Sequence, residues 1–188
     1  MKIGILSEII MNIEISVEGK FEPLGTNQGH VVTSFSSHGM ELALKLSSDN
    51  EVLFFSSIGP PSYIKRALKK HNINTDYMSY NYGGFGAHID FGRPDGRETC
   101  VWSMVSIERA VKLIEMFEAE IFEDLNAMVI TDIFEAEKVV KLCKKHKVPV
   151  FWLANEEDLN NTDDEDRKLI KDIEIINLNN YANVLERI

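Results

Sequence analysis

At 188 residues the chain is long enough for one domain with a proper core, or for one domain and a small appendage. Its formal charge of -10 argues against a nucleic-acid binder, because neutralising phosphates requires a basic face. An apolar share of 44% and a charged share of 27% are ordinary for a globular protein.

The two cysteines, Cys100 and Cys143, lack metal-ligand spacing and read as reduced thiols. The apolar start, Met1 to Leu6, is followed quickly by Glu8 and Glu14. It is too short and too acidic for a signal peptide, and no stretch reaches membrane-spanning length. The expectation is a cytoplasmic protein with no membrane partner.

Lys2 to Leu6 reads as a first buried strand. Ile9 to Ile15 continues extended, with Ile13 and Ile15 alternating against Asn12 and Glu14. Glu18-Gly19-Lys20 is a turn, and Val31-Val32 looks like strand within a polar stretch from Phe21 to Phe35. Met40 to Leu46 is a short helix with Met40, Ala43, Leu44 and Leu46 inward, capped by Ser36 or Ser37.

Val52 to Phe55 is a buried strand. Gly59-Pro60-Pro61 turns into a basic helix carrying Ile64 and Leu68, and Ile73 to Met78 begins a new extended segment. Ala87 to Phe91 and Glu98 to Trp102 are strand-like, separated by a loop with the hairpin dipeptide Asp95-Gly96. Ile107 to Phe122 is the longest helical pattern, with Ala110, Leu113, Ile114 and Phe117 on one face.

Ala127 to Thr131 is a strand. Glu135 to Lys147 is a helix whose lysine-rich last turn suits the helix dipole. Val148 to Leu153 is a strand, Asn160 to Asp166 an acidic loop or helix start, Ile173 to Ile176 a last strand, and Asn179 to Arg187 a last helix. Alternating helix and strand at short spacing means an α/β fold: a mostly parallel sheet with helices on both faces. The hairpin-like regions near 12–35 and 87–102 interrupt that alternation and imply a separate small sheet.

No catalytic constellation emerges from residue types alone. Gly83-Gly84-Phe85-Gly86 lacks the Lys-Ser/Thr of a phosphate loop and precedes a strand, so it reads as a turn. His30, His38 and His88 fall on different elements. Asp163 to Asp166 lacks the ligand alternation and glycine of a calcium loop. Ser36-Ser37 has no nucleophile-elbow context. No catalytic and no metal residue is expected.

Several stretches, in order, resemble the ribokinase-like carbohydrate kinases, the phosphofructokinase-B family. Ser57 to Pro61 with Tyr63, then Ala67 to Tyr77, resembles the family's glycine turn, helix and following strand. Asp95-Gly96-Arg97-Glu98-Thr99 resembles its Asp-Gly hairpin. Phe151 to Asn155 resembles the strand end carrying its Asp-x-Asn segment, and Ile175 to Asn179 the stretch before its Asn-x-x-Glu.

The resemblance implies a ribokinase-like fold with a small β lid closing over a sugar, the lid often pairing two subunits. It implies substrate-binding positions at Asn12, Ser37, Gly39, Glu41, His88 and Asn155. There are departures. The family's substrate-binding aspartate falls on Met11 or Asn12, its diglycine on Ser36-Ser37 or Ser37-His38, and its asparagine on Glu41 or Leu42. The acids after its glycine turn fall on Pro60 and Pro61, and its magnesium-organising glutamate on Ala182.

The family's Gly-Ala-Gly-Asp segment, which holds the developing phosphate charge and supplies the base, would come after Ile188. The expectation is a single incomplete domain over 1–188. It would bind sugar without being catalytic alone, needing no cofactor unless a complementing C-terminal half brings ATP and magnesium. The alternative is a non-catalytic pseudokinase that binds a small molecule or assembles as a dimer. The expected partners are a sugar or nucleoside, and either a second copy paired through the lid strands or a complementing chain.

Overall fold

The computed structural model describes residues 1–19, 22, 26, 28–58, 62–80, 86–92, 98–103, 107–131, 133, 135–171 and 173–178. The turn at Gly59-Pro60-Pro61, most of the Gly83 to Gly86 turn, the Asp95-Gly96 loop and the expected last helix lie outside them. In chain order the elements begin β1 (Lys2–Leu6), β2 (Ile10–Val17), β3 (Gly29–Ser36), α1 (His38–Leu46), β4 (Glu51–Phe55), β5 (Ser57–Ile58), α2 (Ser62–Lys69), β6 (Ile73–Asn74) and β7 (Ser79–Tyr80). They continue with β8 (Gly86–Gly92), β9 (Glu98–Ser103), α3 (Glu108–Met116), α4 (Glu118–Phe122) and β10 (Ala127–Ile130). The series ends with α5 (Glu137–His146), β11 (Val150–Ala154), α6 (Glu156–Asn160), α7 (Asp164–Ile170) and β12 (Glu174–Asn177).

The main sheet has six strands in the order β12-β11-β10-β1-β4-β6, every pair parallel. Its central strands are apolar runs because both faces are covered. Ile3, Ile5, Val52 and Phe54 pack toward Leu42 and Leu46 of α1 and Ile64 and Leu68 of α2. Leu6, Leu53, Phe55 and Met128 pack on the other face toward α3, α4 and α5 through Ala110, Ile114, Phe122 and Val140. Gly4 leaves room on that second face: a Cβ there would lie 2.9 Å from the Met128 thioether and 3.2 Å from the Phe55 ring. The α/β class read from the sequence is what the chain adopts.

A second sheet of four strands runs β3-β2-β8-β9. β2 and β3 are antiparallel, as are β8 and β9, while β2 and β8 run parallel. The two interrupting regions thus join in one sheet. Phe35 at the foot of β3 packs against the α1 side of the core.

Three local expectations are corrected. Leu44 is 38% exposed, because α1 buries Gly39, Leu42, Ala43 and Leu46, one stripe at helical spacing that leaves position 44 outside. The strand at Ile73 stops after Asn74. The Asn74 Oδ1 accepts from the Asp76 N–H at 2.9 Å and Met78 N–H bonds to Thr75 O at 3.1 Å, so the backbone turns.

The long helix divides at Phe117, whose φ of -107° and ψ of 27° leave the helical region. Its ring, 41% exposed, leaves the core line and packs on Tyr77 with centroids 5.8 Å apart. The acidic stretch Asn160 to Asp166, read as a loop or helix start, holds both: a short connection after α6 and the first residues of α7.

Tyr77 also packs on Phe55, centroids 5.6 Å apart, and its hydroxyl donates to Glu120 at 2.7 Å. Burial, then this bond and the Glu120 charge, push its phenol from 10.0 up to about 12. A raised phenol holds its proton more tightly in the folded state, so its stabilisation is whole below pH 10.0 and lost as pH climbs toward about 12. Tyr77→Phe should cost about 1 kcal/mol at neutral pH. Tyrosinate absorbance of the variant should lack the last-titrating phenol, and the stability gap should close in strongly alkaline buffer.

Candidate binding site at the carboxyl ends of the main sheet

From β1 the chain moves through α1 and α2 to β4 and β6 on one side. From β10 it moves through α5 and α7 to β11 and β12 on the other. Right-handed crossovers in opposite directions place the two helix sets on opposite faces. The strand order therefore reverses between β1 and β10, and the crevice outside their carboxyl ends is where open α/β sheets take ligands.

Two hydroxyl residues stand at that reversal. Ser7 follows β1 and Thr131 follows β10. Their backbone N–H groups extend the ladder to Phe55 O and Leu6 O, both at 3.1 Å. The Thr131 hydroxyl donates to Ser7 Oγ at 2.9 Å. Ser7 Oγ also lies 2.8 Å from Ser37 Oγ and donates to the Glu8 carbonyl at 3.0 Å.

Ser37 caps α1: its backbone is extended at φ -170°, and its Oγ accepts from Met40 N–H at 3.2 Å. α1 can approach this closely only because position 39 has no side chain. A Cβ on Gly39 would lie 2.3 Å from Ser7 Cβ and 2.5 Å from Ser7 Oγ.

The hydroxyl hydrogens can be assigned by counting. A carbonyl cannot donate, so the single Ser7 hydrogen goes to Glu8 O. Ser37 must then donate to Ser7, as Thr131 does, and Ser7 Oγ is saturated. Ser57, which opens β5 just beyond the neighbouring strand β4, accepts from Ala110 N–H at 3.2 Å. It thereby supplies the N-terminal cap that Ile107 cannot give α3. Ser56 beside it is fully buried, and its hydroxyl has no partner among the described residues.

The six positions inferred from the sequence fall in three places. Asn12 and His88 are direct partners across β2 and β8, both half-buried, and His88 Nε2 lies 3.2 Å from Asp90 Oδ1. Ser37 and Gly39 sit together on Ser7, with Glu41 exposed in the first turn of the same helix. Asn155 follows β11, which β10 separates from β1. Its side chain is engaged in a capping box: it accepts from Asp158 N–H at 2.8 Å while the Asp158 carboxylate accepts from its N–H at 2.8 Å.

Among the described residues no three His, Cys, Asp or Glu side chains converge to hold a metal ion. Among them, too, no helix is long and apolar enough to cross a membrane.

Ser7, Thr131 and Ser57 were not singled out from the sequence. A signal was there: Ile5-Leu6-Ser7, Val129-Ile130-Thr131 and Phe54-Phe55-Ser56-Ser57 each close an apolar strand on a hydroxyl residue.

No family model matches the sequence, and no curated protein matches it. Solved structures do match. A ligand-free nucleoside kinase from Burkholderia thailandensis superposes with a TM-score of 0.68 at 13% identity, covering 91% of this chain and 61% of that one. A carbohydrate kinase from Agrobacterium tumefaciens gives 0.66 at 13%, covering 92% and 58%. The fold is ribokinase-like. A nucleoside kinase from Methanocaldococcus jannaschii, an archaeal member of the ribokinase family, gives 0.64 at 15%. It matches 98% of this chain and 64% of its own, so the ribokinase-like chain spans well under the full length of these three structures.

The clearest test of the site's construction is Gly39→Ala. With no room for a Cβ, α1 must lift off Ser7, and overpacking of this kind costs about 1–3 kcal/mol. Chemical denaturation should show a lower midpoint. An unchanged midpoint would mean that α1 does not rest on Ser7 as described.

Proposed function

We propose that this chain is the sugar- or nucleoside-binding part of a ribokinase-like carbohydrate kinase and does not transfer phosphate by itself. The observation that carries the reading is the strand-order reversal between β1 and β10, topped by the Ser7, Ser37 and Thr131 hydroxyls. The four-stranded sheet, whose β2 and β3 spring from the two sides of that cluster, would be the lid. Asn12 and His88 would present polar groups from it, and Ser37, Gly39, Glu41 and Asn155 would border the ligand from the main sheet. The likeness to nucleoside and carbohydrate kinases supports this reading through fold alone.

Phosphoryl transfer is mostly positioning and electrostatic stabilisation of spread charge. No Gly-Ala-Gly-Asp run occurs in these 188 residues. ATP and magnesium enter the reading only with a complementing segment or chain that supplies the anion-binding helix end and the base. Purified protein incubated with ATP, magnesium and a panel of sugars and nucleosides should form no phosphorylated product. Steady turnover by the 188-residue chain would overturn this part of the proposal.

A second reading, a non-catalytic protein that assembles as a dimer, is favoured by one observation. Val31 and Val32 of β3 are 65% and 56% exposed, in a sheet whose Ile13 and Ile15 are only half-buried. Sedimentation of the wild type and of Val31→Glu compares the two readings: assembly through this sheet predicts a dimer that the charge breaks.

A further inference from the structure

We propose that a second copy of this chain docks on the corner built by Tyr77, Met116 and Phe117, in a two-fold contact separate from the four-stranded sheet. Met116 ends α3 and is 74% exposed, the most of any large apolar side chain among the described residues. Phe117 follows it, also exposed, with its ring laid on the half-buried Tyr77 at 5.8 Å between centroids. The break between α3 and α4 takes that ring off the line of Ala110 and Ile114 and puts it here. Apolar side chains scattered singly on a surface are ordinary. A methionine and two aromatic rings side by side are the types that interfaces collect.

Charge decides what lies on this corner. Tyr77 stands between two flanks of opposite sign. On one side its neighbour Asp76 holds Lys69 at 3.0 Å. Lys69 belongs to α2, which has no acid in its first turn and whose exposed Arg66 and Lys70 add two more cations. On the other side the Tyr77 hydroxyl donates to Glu120 at 2.7 Å, and the exposed Glu123 follows at the end of the same helix, α4.

A purely acidic partner would match one flank and be repelled by the other, and so would a purely basic one. A second copy turned about a two-fold axis through the apolar centre sets each cationic flank on the other's acidic flank. Every contact is then made twice. The formal charge of -10 on each copy does not prevent this, because exposed charges are screened beyond about 8 Å at physiological salt. The pairs at the contact decide.

Sedimentation equilibrium of the wild-type chain up to about 100 μM reaches the weak end of protein association and should show a dimer. Val31→Glu should leave it in place. Met116→Asp should weaken it about tenfold or more, as loss of a central anchor does. Lys69→Glu and Glu123→Lys should each weaken it, because like charges then face each other. An equimolar mixture of these two variants should regain the wild-type affinity, since the mixed pair again sets opposite charges together. A variant that had merely unfolded would not be rescued by mixing.

A chain that stays monomeric at this concentration would overturn the inference. So would a dimer that Val31→Glu dissolves, a dimer indifferent to Met116→Asp, or a mixture of the two charge variants as weak as either alone.

Discussion

One hydroxyl, Ser7 Oγ, joins parts of the molecule that are far apart in sequence. It accepts from Thr131, is bonded to Ser37, and donates to the Glu8 carbonyl. Thr131 follows β10 on one side of the strand-order reversal, Ser37 caps α1, which leads to β4 on the other side, and Ser7 lies between them. A hydroxyl in this position serves where a larger polar group could not. The α1 backbone comes within Cβ distance of it, and a side chain reaching further would push the helix off the sheet. Buried hydroxyls cost free energy unless bonded, and this one is satisfied completely.

The same packing explains why the two faces of the sheet look different near its carboxyl end. Along β1 the residues Ile3, Ile5 and Ser7 share the α1 side, so the apolar layer changes to a polar one within a single step. On the opposite side Leu6, Phe55 and Ile130 remain in an apolar layer up to the strand ends. The Ser7, Ser37 and Thr131 hydroxyls thus meet on the side of the crevice where α1 begins and β2 and β3 are rooted.

The elements most legible in the sequence were those whose environment is uniform. β1, β4, β10 and β11 are short apolar runs because parallel central strands are covered twice, and α5 shows Val139, Val140 and Cys143 at helical spacing. What escaped depended on contacts with distant partners. The division at Phe117 follows from Tyr77, forty residues upstream, and the outward Leu44 from which stripe of α1 meets β4. Ser7, Thr131 and Ser57 were passed over because serine and threonine usually mark turns, and nothing local reveals that Ser7 and Thr131 meet. Of the inferred positions, Ser37 and Gly39 proved adjacent to this cluster, whereas the Asn155 side chain is occupied in closing the start of α6.

The bond between Ser7 and Ser37 spans 30 positions of chain and brings both ends of the β2–β3 excursion to one point. The main sheet therefore receives this excursion as a closed loop, entering and leaving at the same place. Its interior can grow or shrink without moving β1 or α1, and doubling a flexible loop's length costs only about 0.6 kcal/mol in closure entropy. The β2–β3 hairpin is in this sense a replaceable fitting. A shorter or longer hairpin could be exchanged there while the six parallel strands stay in register.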